Sequence, residues 1–86
     1  MNNPTYDQYK KKAAEFAKRY EVTVSDHILD IMVSVMMTRD KVMLGGSFVQ
    51  AVVNNDLFSA VSRADQEVLE KPNFRIIVFT NQYCFL

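Results

Sequence analysis

The residues of this chain whose types and spacing could do chemistry are few, and they gather in its middle. Gly45-Gly46-Ser47 leads into a helix-forming run, and free backbone donors at a helix start, beside the positive end of the helix dipole, make an anion site. No Gly-Lys-Ser/Thr follows as in a phosphate-binding loop, and no third glycine or long preceding strand completes a dinucleotide fingerprint. Glycines that only turn the chain account for the same pattern. Just downstream, Asn54-Asn55-Asp56 carries three side chains that compete for backbone hydrogen bonds and so makes a corner. Arg63 lies beyond it, two positions before Asp65, so on a helix the two point apart and each seeks a partner elsewhere, with Asp56 and Glu67 the candidates for Arg63 across turns. A fixed arginine beside such a corner suits recognition, although a solubilising surface charge is the plainer reading.

His27 is the only histidine. With no second histidine and no cysteine nearby it reads as a surface or packing residue, not as a metal ligand or a general base. Carboxylates are scattered singly, and no serine has a histidine partner at an informative spacing. Hydrolytic and acid-base chemistry therefore have no visible apparatus, and the sequence implies no metal and no cofactor. The remaining cluster is cationic: Lys10, Lys11, Lys12, Lys18 and Arg19 crowd one segment. They fit a phosphate or an acidic partner, and equally a solvated face.

An 86-residue chain implies one domain, 1–86, near the lower end of what folds without staples. Oligomerisation would relieve that, and a homodimer is one way to hide apolar surface. Apolar residues make up 49% of the chain, enough for a core and too many for a disordered segment. Ten basic residues balance ten acidic ones, so the net charge is zero. That balance argues against an acidic mimic of DNA and gives no global attraction to nucleic acid, while leaving room for a local basic patch. Cys84 stands alone and cannot close an internal disulfide, which makes the cytoplasm the natural compartment. No apolar stretch approaches the roughly twenty residues that span a bilayer, and no leader pattern opens the chain, so no membrane partner is expected.

The elements that must position these residues read mostly as helices. Met1 to Pro4 should be a disordered lead, after which Thr5 and Gln8 stand in the relation of a capping box. A first helix then starts near Tyr6, with Tyr6, Tyr9, Ala13, Phe16 and Tyr20 as one apolar stripe and the lysines on the other faces. Interleaved tyrosines could stack bases, but this spacing more often belongs to a core. Glu21 to Val24 is β-branched and alternating, a link or a short edge strand. Ser25 or Asp26 caps a second helix so apolar, through Ile28, Leu29, Ile31, Met32, Val33, Val35, Met36 and Met37, that it should lie centrally. Its methionines suit core packing or an adaptable contact surface.

Ser47 is a good N-cap for a third helix from Phe48, which Asn54-Asn55-Asp56 interrupts, with Asn55 or Asp56 capping the next. That next helix should run from about Leu57 to Glu70, burying Leu57, Val61, Ala64 and Val68 with help from Phe58, Ala60 and Leu69, until Lys71-Pro72 stops it. Phe74 to Phe79 has strand-like composition, yet six residues do not separate a buried strand from a buried helix. The reading is an all-α or nearly all-α bundle of four to five short helices; the alternative is an α+β fold with short strands near 21–24, 41–44 and 74–79. The apolar end, Tyr83-Cys84-Phe85-Leu86, suggests docking onto the core or a subunit interface.

The run Gly46-Ser47-Phe48-Val49-x-Ala51-Val52-Val53-x-Asn55-Asp56-Leu57-x-x-Ala60-Val61-x-Arg63-Ala64-Asp65, followed by Ile76-Ile77-Val78-Phe79, resembles a family of small accessory proteins of tailed bacteriophages. The resemblance covers Gly45 to about Phe79 and not residues 1–44, and the tryptophan-bearing tail frequent in that family is absent. It implies a phage or prophage origin, a host cytoplasm as location and a helical fold. Small phage proteins without enzymatic residues act by binding, so the expectation is a non-enzymatic interaction protein that inhibits a host defence complex of nuclease or CRISPR type. Its contact surface would combine the basic first helix with the Gly45 to Asp56 corner and Arg63. Two alternatives stand beside it: a nucleic-acid-binding regulator using Lys10 to Arg19, and a binder of a phosphate-bearing signal nucleotide at Gly45 to Ser47.

Overall fold

The computed structural model describes residues 6–86, so the expected lead and Thr5 of the expected capping box lie outside the described residues. Six helices follow one another: α1 (Tyr6–Arg19), α2 (Asp26–Arg39), α3 (Ser47–Val53), α4 (Leu57–Arg63), α5 (Gln66–Leu69) and α6 (Asn73–Tyr83). Among the described residues there is no strand: 22–24 has no regular structure, 41–44 is a turn and bend running into irregular chain, and 74–79 lies inside α6.

The apolar run of α2 dictates the arrangement. Ile28, Leu29, Met32, Val33, Val35 and Met36 face more than one direction around the helix, so α2 must be covered on several sides, and α1, α3 and α6 pack around it. Burial of each such side chain contributes about 1.5–3 kcal/mol. α1 supplies a narrower stripe, Tyr9, Ala13, Phe16 and Ala17, while Tyr6 and Tyr20 at its ends stay partly in water. The Tyr9 ring is buried and its hydroxyl donates to Asp40 Oδ2 at 3.0 Å, which ties α1 to the end of α2; burial first, and then that carboxylate, push the phenol above its usual range. Ser25 caps α2 by accepting the Ile28 N–H.

The ends of α1, α2 and α3 share one design. After each, a residue in the left-handed region (Glu21, Lys41, Asn55; φ 60, 63 and 60°) turns the chain, and its own N–H and the next one bond back into the last turn. Lys41 N–H reaches Thr38 O and Val42 N–H reaches Met37 O; the pairs Glu21–Lys18 with Val22–Ala17, and Asn55–Val52 with Asp56–Ala51, repeat the pattern. These are Schellman endings built without glycine.

Neither glycine has a positive φ, so the expected need for backbone freedom at Gly45-Gly46 is not what places them. Gly45 is there for space: a Cβ on it would lie 2.7 Å from Val49 Cγ1 and 2.9 Å from Thr38 Oγ1, the atom that accepts its own N–H. Gly46 has nothing within 4 Å of such a Cβ. Gly45→Ala is therefore expected to cost about 1–3 kcal/mol by overpacking, and Gly46→Ala less than about 0.5 kcal/mol. Urea denaturation of the two variants side by side checks the contrast.

The expected helix from Leu57 to Glu70 is two helices, which is why there are six and not four or five. Ala64 is extended (φ −79°, ψ 143°), and Asp65 then caps α5 by accepting the Val68 N–H at 2.8 Å. A short polar side chain that can serve a new helix start competes with continuing the old one. The break also rewrites the buried set. Ala60 and Val68 are buried, Ala64 is half-buried, and Leu57, Phe58, Val61 and Leu69, expected inside, are exposed. α6 buries Ile76, Ile77 and Thr80 on one face against α2, and the Thr80 hydroxyl donates to Ile76 O at 2.7 Å, so its burial leaves no polar group unmet.

Among the described residues no helix is long and apolar enough to cross a membrane.

Candidate functional site

The residues singled out in the sequence fall on three separate places. Lys10, Lys11, Lys18 and Arg19 are exposed along α1 and Lys12 is half-buried. α1 packs on α2 and α6, whereas the Gly45 to Asp56 segment belongs to α3, which packs on α2, α4 and α6. The expected composite of basic helix and corner is thus divided between different sides of the bundle.

α3 and α4 form a helical hairpin, and this splits the second group as well. α3 has seven residues and so is about 10 Å long. Asn54, Asn55 and Asp56 sit at the turn between the helices, all exposed, while Gly46 and Ser47 begin α3 at the other end. Arg63 ends α4 and returns to that first end, where it lines one open cleft with Gly46, Ser47, Phe48 and Asp65. Gly46, not Ser47, is the N-cap of α3, and no side chain caps it, because the helix begins one residue earlier than expected. Asp65 shares the cleft with Arg63, so the positive charge there is offset. Asp56 caps α4, and hydrogen bonds from Ser59, through its side chain and its backbone, hold the Asp56 carboxyl below the usual range.

One cluster escaped the sequence reading. Ser25 and His27 at the start of α2 meet Asp65 and Glu67 at the start of α5: the Ser25 hydroxyl donates to Glu67 Oε2 at 2.7 Å, and His27 Nε2 lies 2.9 Å from Asp65 Oδ2. The matching i, i+2 spacing in both pairs is the one signal the sequence offered. Serine, histidine and aspartate together suggest a nucleophile and its base, but the geometry is otherwise. Ser25 Oγ is engaged by Glu67 and by the Ile28 N–H, not by His27, so the serine–histidine–aspartate relay of a triad is not formed. The cluster is a clasp between α2 and α5. Among the described residues no three of His, Cys, Asp and Glu converge as metal ligands.

The clasp has a pH signature. The Val68 N–H, and after it His27, hold the Asp65 carboxyl below its usual range. A group depressed in the folded state contributes stability that is complete above its unfolded value, about 3.9 for Asp, and is lost as the pH falls through the folded one. Melting temperature measured at steps from neutral to strongly acidic pH should therefore fall less steeply below about pH 4 in Asp65→Asn than in the unsubstituted chain, and the variant should start lower at neutral pH.

What the structure adds is apolar surface. Phe58 is 86% exposed, and Leu57 and Val61 on the same helix stand about half in water. Leu57 also lines a groove with Leu69, Phe74, Val78 and Phe79, whose only charged members are Lys71 and Arg75. A second feature lies where α1 meets α6. Phe16, Tyr20, Phe79 and Tyr83 form a chain of rings with centroids 4.9, 5.8 and 5.9 Å apart. Beside it Lys12, Arg19 and Phe85 line an open cleft with Glu15. Cys84 is buried beneath, and burial pushes its thiol up, which keeps it protonated and unreactive.

Compared with protein-family models, with curated proteins and with solved structures, the chain matches none.

Proposed function

We propose that this chain is a phage-encoded, non-enzymatic interaction protein that works in the host cytoplasm by binding a host protein complex, a defence complex of nuclease or CRISPR type. The phage origin and the class of target rest on the Gly-Ser-Phe, Asn-Asp-Leu and Arg-Ala-Asp run between Gly46 and Asp65. The binding itself rests on one observation, the apolar exposure of α4: a phenylalanine 86% in water with Leu57 and Val61 beside it is costly for an isolated monomer and suits an interface centre. Arg63 at one end of that helix, and Asn54, Asn55 and Asp56 at the other, supply a polar rim of the kind that fixes orientation.

Tagged protein recovered from nuclease-treated bacterial lysate should retain a host protein at a stoichiometric ratio. Phe58→Asp places an acid in the first turn of α4, where the helix dipole tolerates it, and should weaken that complex by roughly 30-fold or more with the melting temperature unchanged. Equal recovery by Phe58→Asp, or no protein surviving nuclease, defeats the reading. A shift of the free protein to a dimer that Phe58→Asp abolishes would assign the face to a second copy instead.

A further inference from the structure

We propose that the face formed by α1 and α6 binds single-stranded nucleic acid, on a surface separate from α4. Three kinds of observation converge on it. The first is exposure of aromatic rings: Tyr20 is 44%, Tyr83 61% and Phe85 56% exposed, although each touches another group. Tyr20 and Tyr83 both contact the Phe79 ring, and Phe85 lies over the Arg39 guanidinium at 4.5 Å, so the rings are held in place before any ligand arrives. Prefixed rings cost little entropy to stack upon.

The second is charge at matching positions. Lys12 and Arg19 are seven residues apart on α1, two turns along one face. Arg75 stands with Tyr20 and Phe79 at the far end of the ladder, one turn before Phe79 on α6. α6 contains no acidic residue at all, and Glu15 is the one acid beside Lys12 and Arg19. Among the described residues that line these two clefts, three cations stand against one carboxylate, a local basic excess on a chain whose net charge is zero.

The third is length. From Arg75 to Tyr83 is eight residues of helix, about 12 Å, which matches three or four nucleotides at the ~3.4 Å spacing of a stacked strand. Bases in a duplex are already stacked on one another and offer no faces to protein rings. A single strand does, and its phosphates can follow the cations while its bases meet the rings. The lysines at 10, 11 and 18 take no part.

A fluorescein-labelled oligothymidylate of about 16 nucleotides, titrated with the full chain and followed by anisotropy, tests the surface. With three phosphate contacts, affinity should fall roughly 20-fold between about 50 and 200 mM salt, and Arg19→Gln should reduce the logarithmic salt slope by about one third. Tyr83→Ala should weaken binding at least fivefold with the slope unchanged, because it removes stacking and no charge. Phe58→Asp should bind like the unsubstituted chain, which separates this face from the one proposed for a protein partner. Absence of binding at low salt overturns the assignment. So does equal affinity for a duplex of the same length with no effect of Tyr83→Ala, which would reveal simple attraction to any polyanion. Loss of a nuclease-resistant protein partner in Tyr83→Ala, with no oligonucleotide binding, would give the face to protein.

Discussion

Ile77→Ala is expected to lower the unfolding free energy by about 2–5 kcal/mol, measured by urea denaturation with the slope of the transition held as a check on two-state behaviour. Ile77 is wholly buried on the face of α6 that packs against α2, so the truncation leaves a cavity between the two helices that contact each other most extensively. A domain of this size has only about 4–13 kcal/mol to lose. The variant should therefore carry a visible unfolded fraction at moderate temperature, while Ile77→Val costs about 0.5–1.5 kcal/mol. Val78, its half-buried neighbour lining the open groove, gives the internal contrast: Val78→Ala should be markedly milder. Equal costs at 77 and 78 would mean that both faces of this segment are buried, as in a central strand, and would contradict α6.

That contrast shows why this segment was the hardest to read. Phe-Arg-Ile-Ile-Val-Phe has the β-branched, aromatic composition of a strand, and only the residues beyond it decide the matter. Thr80 can follow Ile77 inward because its hydroxyl satisfies itself on Ile76 O, a bond available in a helix and not in a ladder. α2 was legible because its apolar residues cover too much of the circumference to suit any but a central helix, and α1 because its stripe is regular. The left-handed turns that end α1, α2 and α3 were not legible. Glutamate, lysine and asparagine at 21, 41 and 55 carry no glycine signal for a left-handed turn, yet the hydrogen bonds behind each show why the chain accepts one. The break at Ala64-Asp65 was written in Asp65 as a capping residue, but the apolar periodicity of Leu57, Val61, Ala64 and Val68 ran straight through it. Reading that stripe as buried hid the exposed surface of α4.

The candidate site was legible residue by residue and not as an assembly. Arg63 does return to Gly46 and Ser47, because a seven-residue hairpin arm brings the end of α4 back to the start of α3. The same geometry carries Asn54 to Asp56 to the opposite end, and the packing of α1 on α2 and α6 takes the lysines elsewhere. Polar type alone pointed to the corner. The features that fit partners best are apolar and aromatic, and a helical period assigns such residues to the core until the packing shows which of them it leaves outside.

Arg39→Ala is expected to cost about 2–4 kcal/mol, the largest effect of any charged residue. Arg39 ends α2 and is mostly buried there. Its Nη1 donates to the carbonyls of Thr80 and Asn81 at 3.1 and 3.0 Å, acceptors in the last turn of α6 that no helical donor reaches except through Cys84. Two charge-assisted bonds would suggest more, at about 1.5–3 kcal/mol each. The total is smaller because Arg39 Nη2 is buried with no partner among the described residues, and that desolvation offsets part of the gain. Arg39→Lys should recover only part of this: one ammonium could meet both carbonyls, as Nη1 does, but it lacks the planar guanidinium that lies beneath Phe85. A double-mutant cycle with Phe85→Leu should return a coupling of about 0.5–2 kcal/mol, and amide exchange should speed in the last turn of α6 before it speeds in α2. A chain in which Arg39→Ala melts like the unsubstituted protein would remove the strut that holds α6, Tyr83 and Phe85 in register, and with it the preorganisation on which the aromatic face depends.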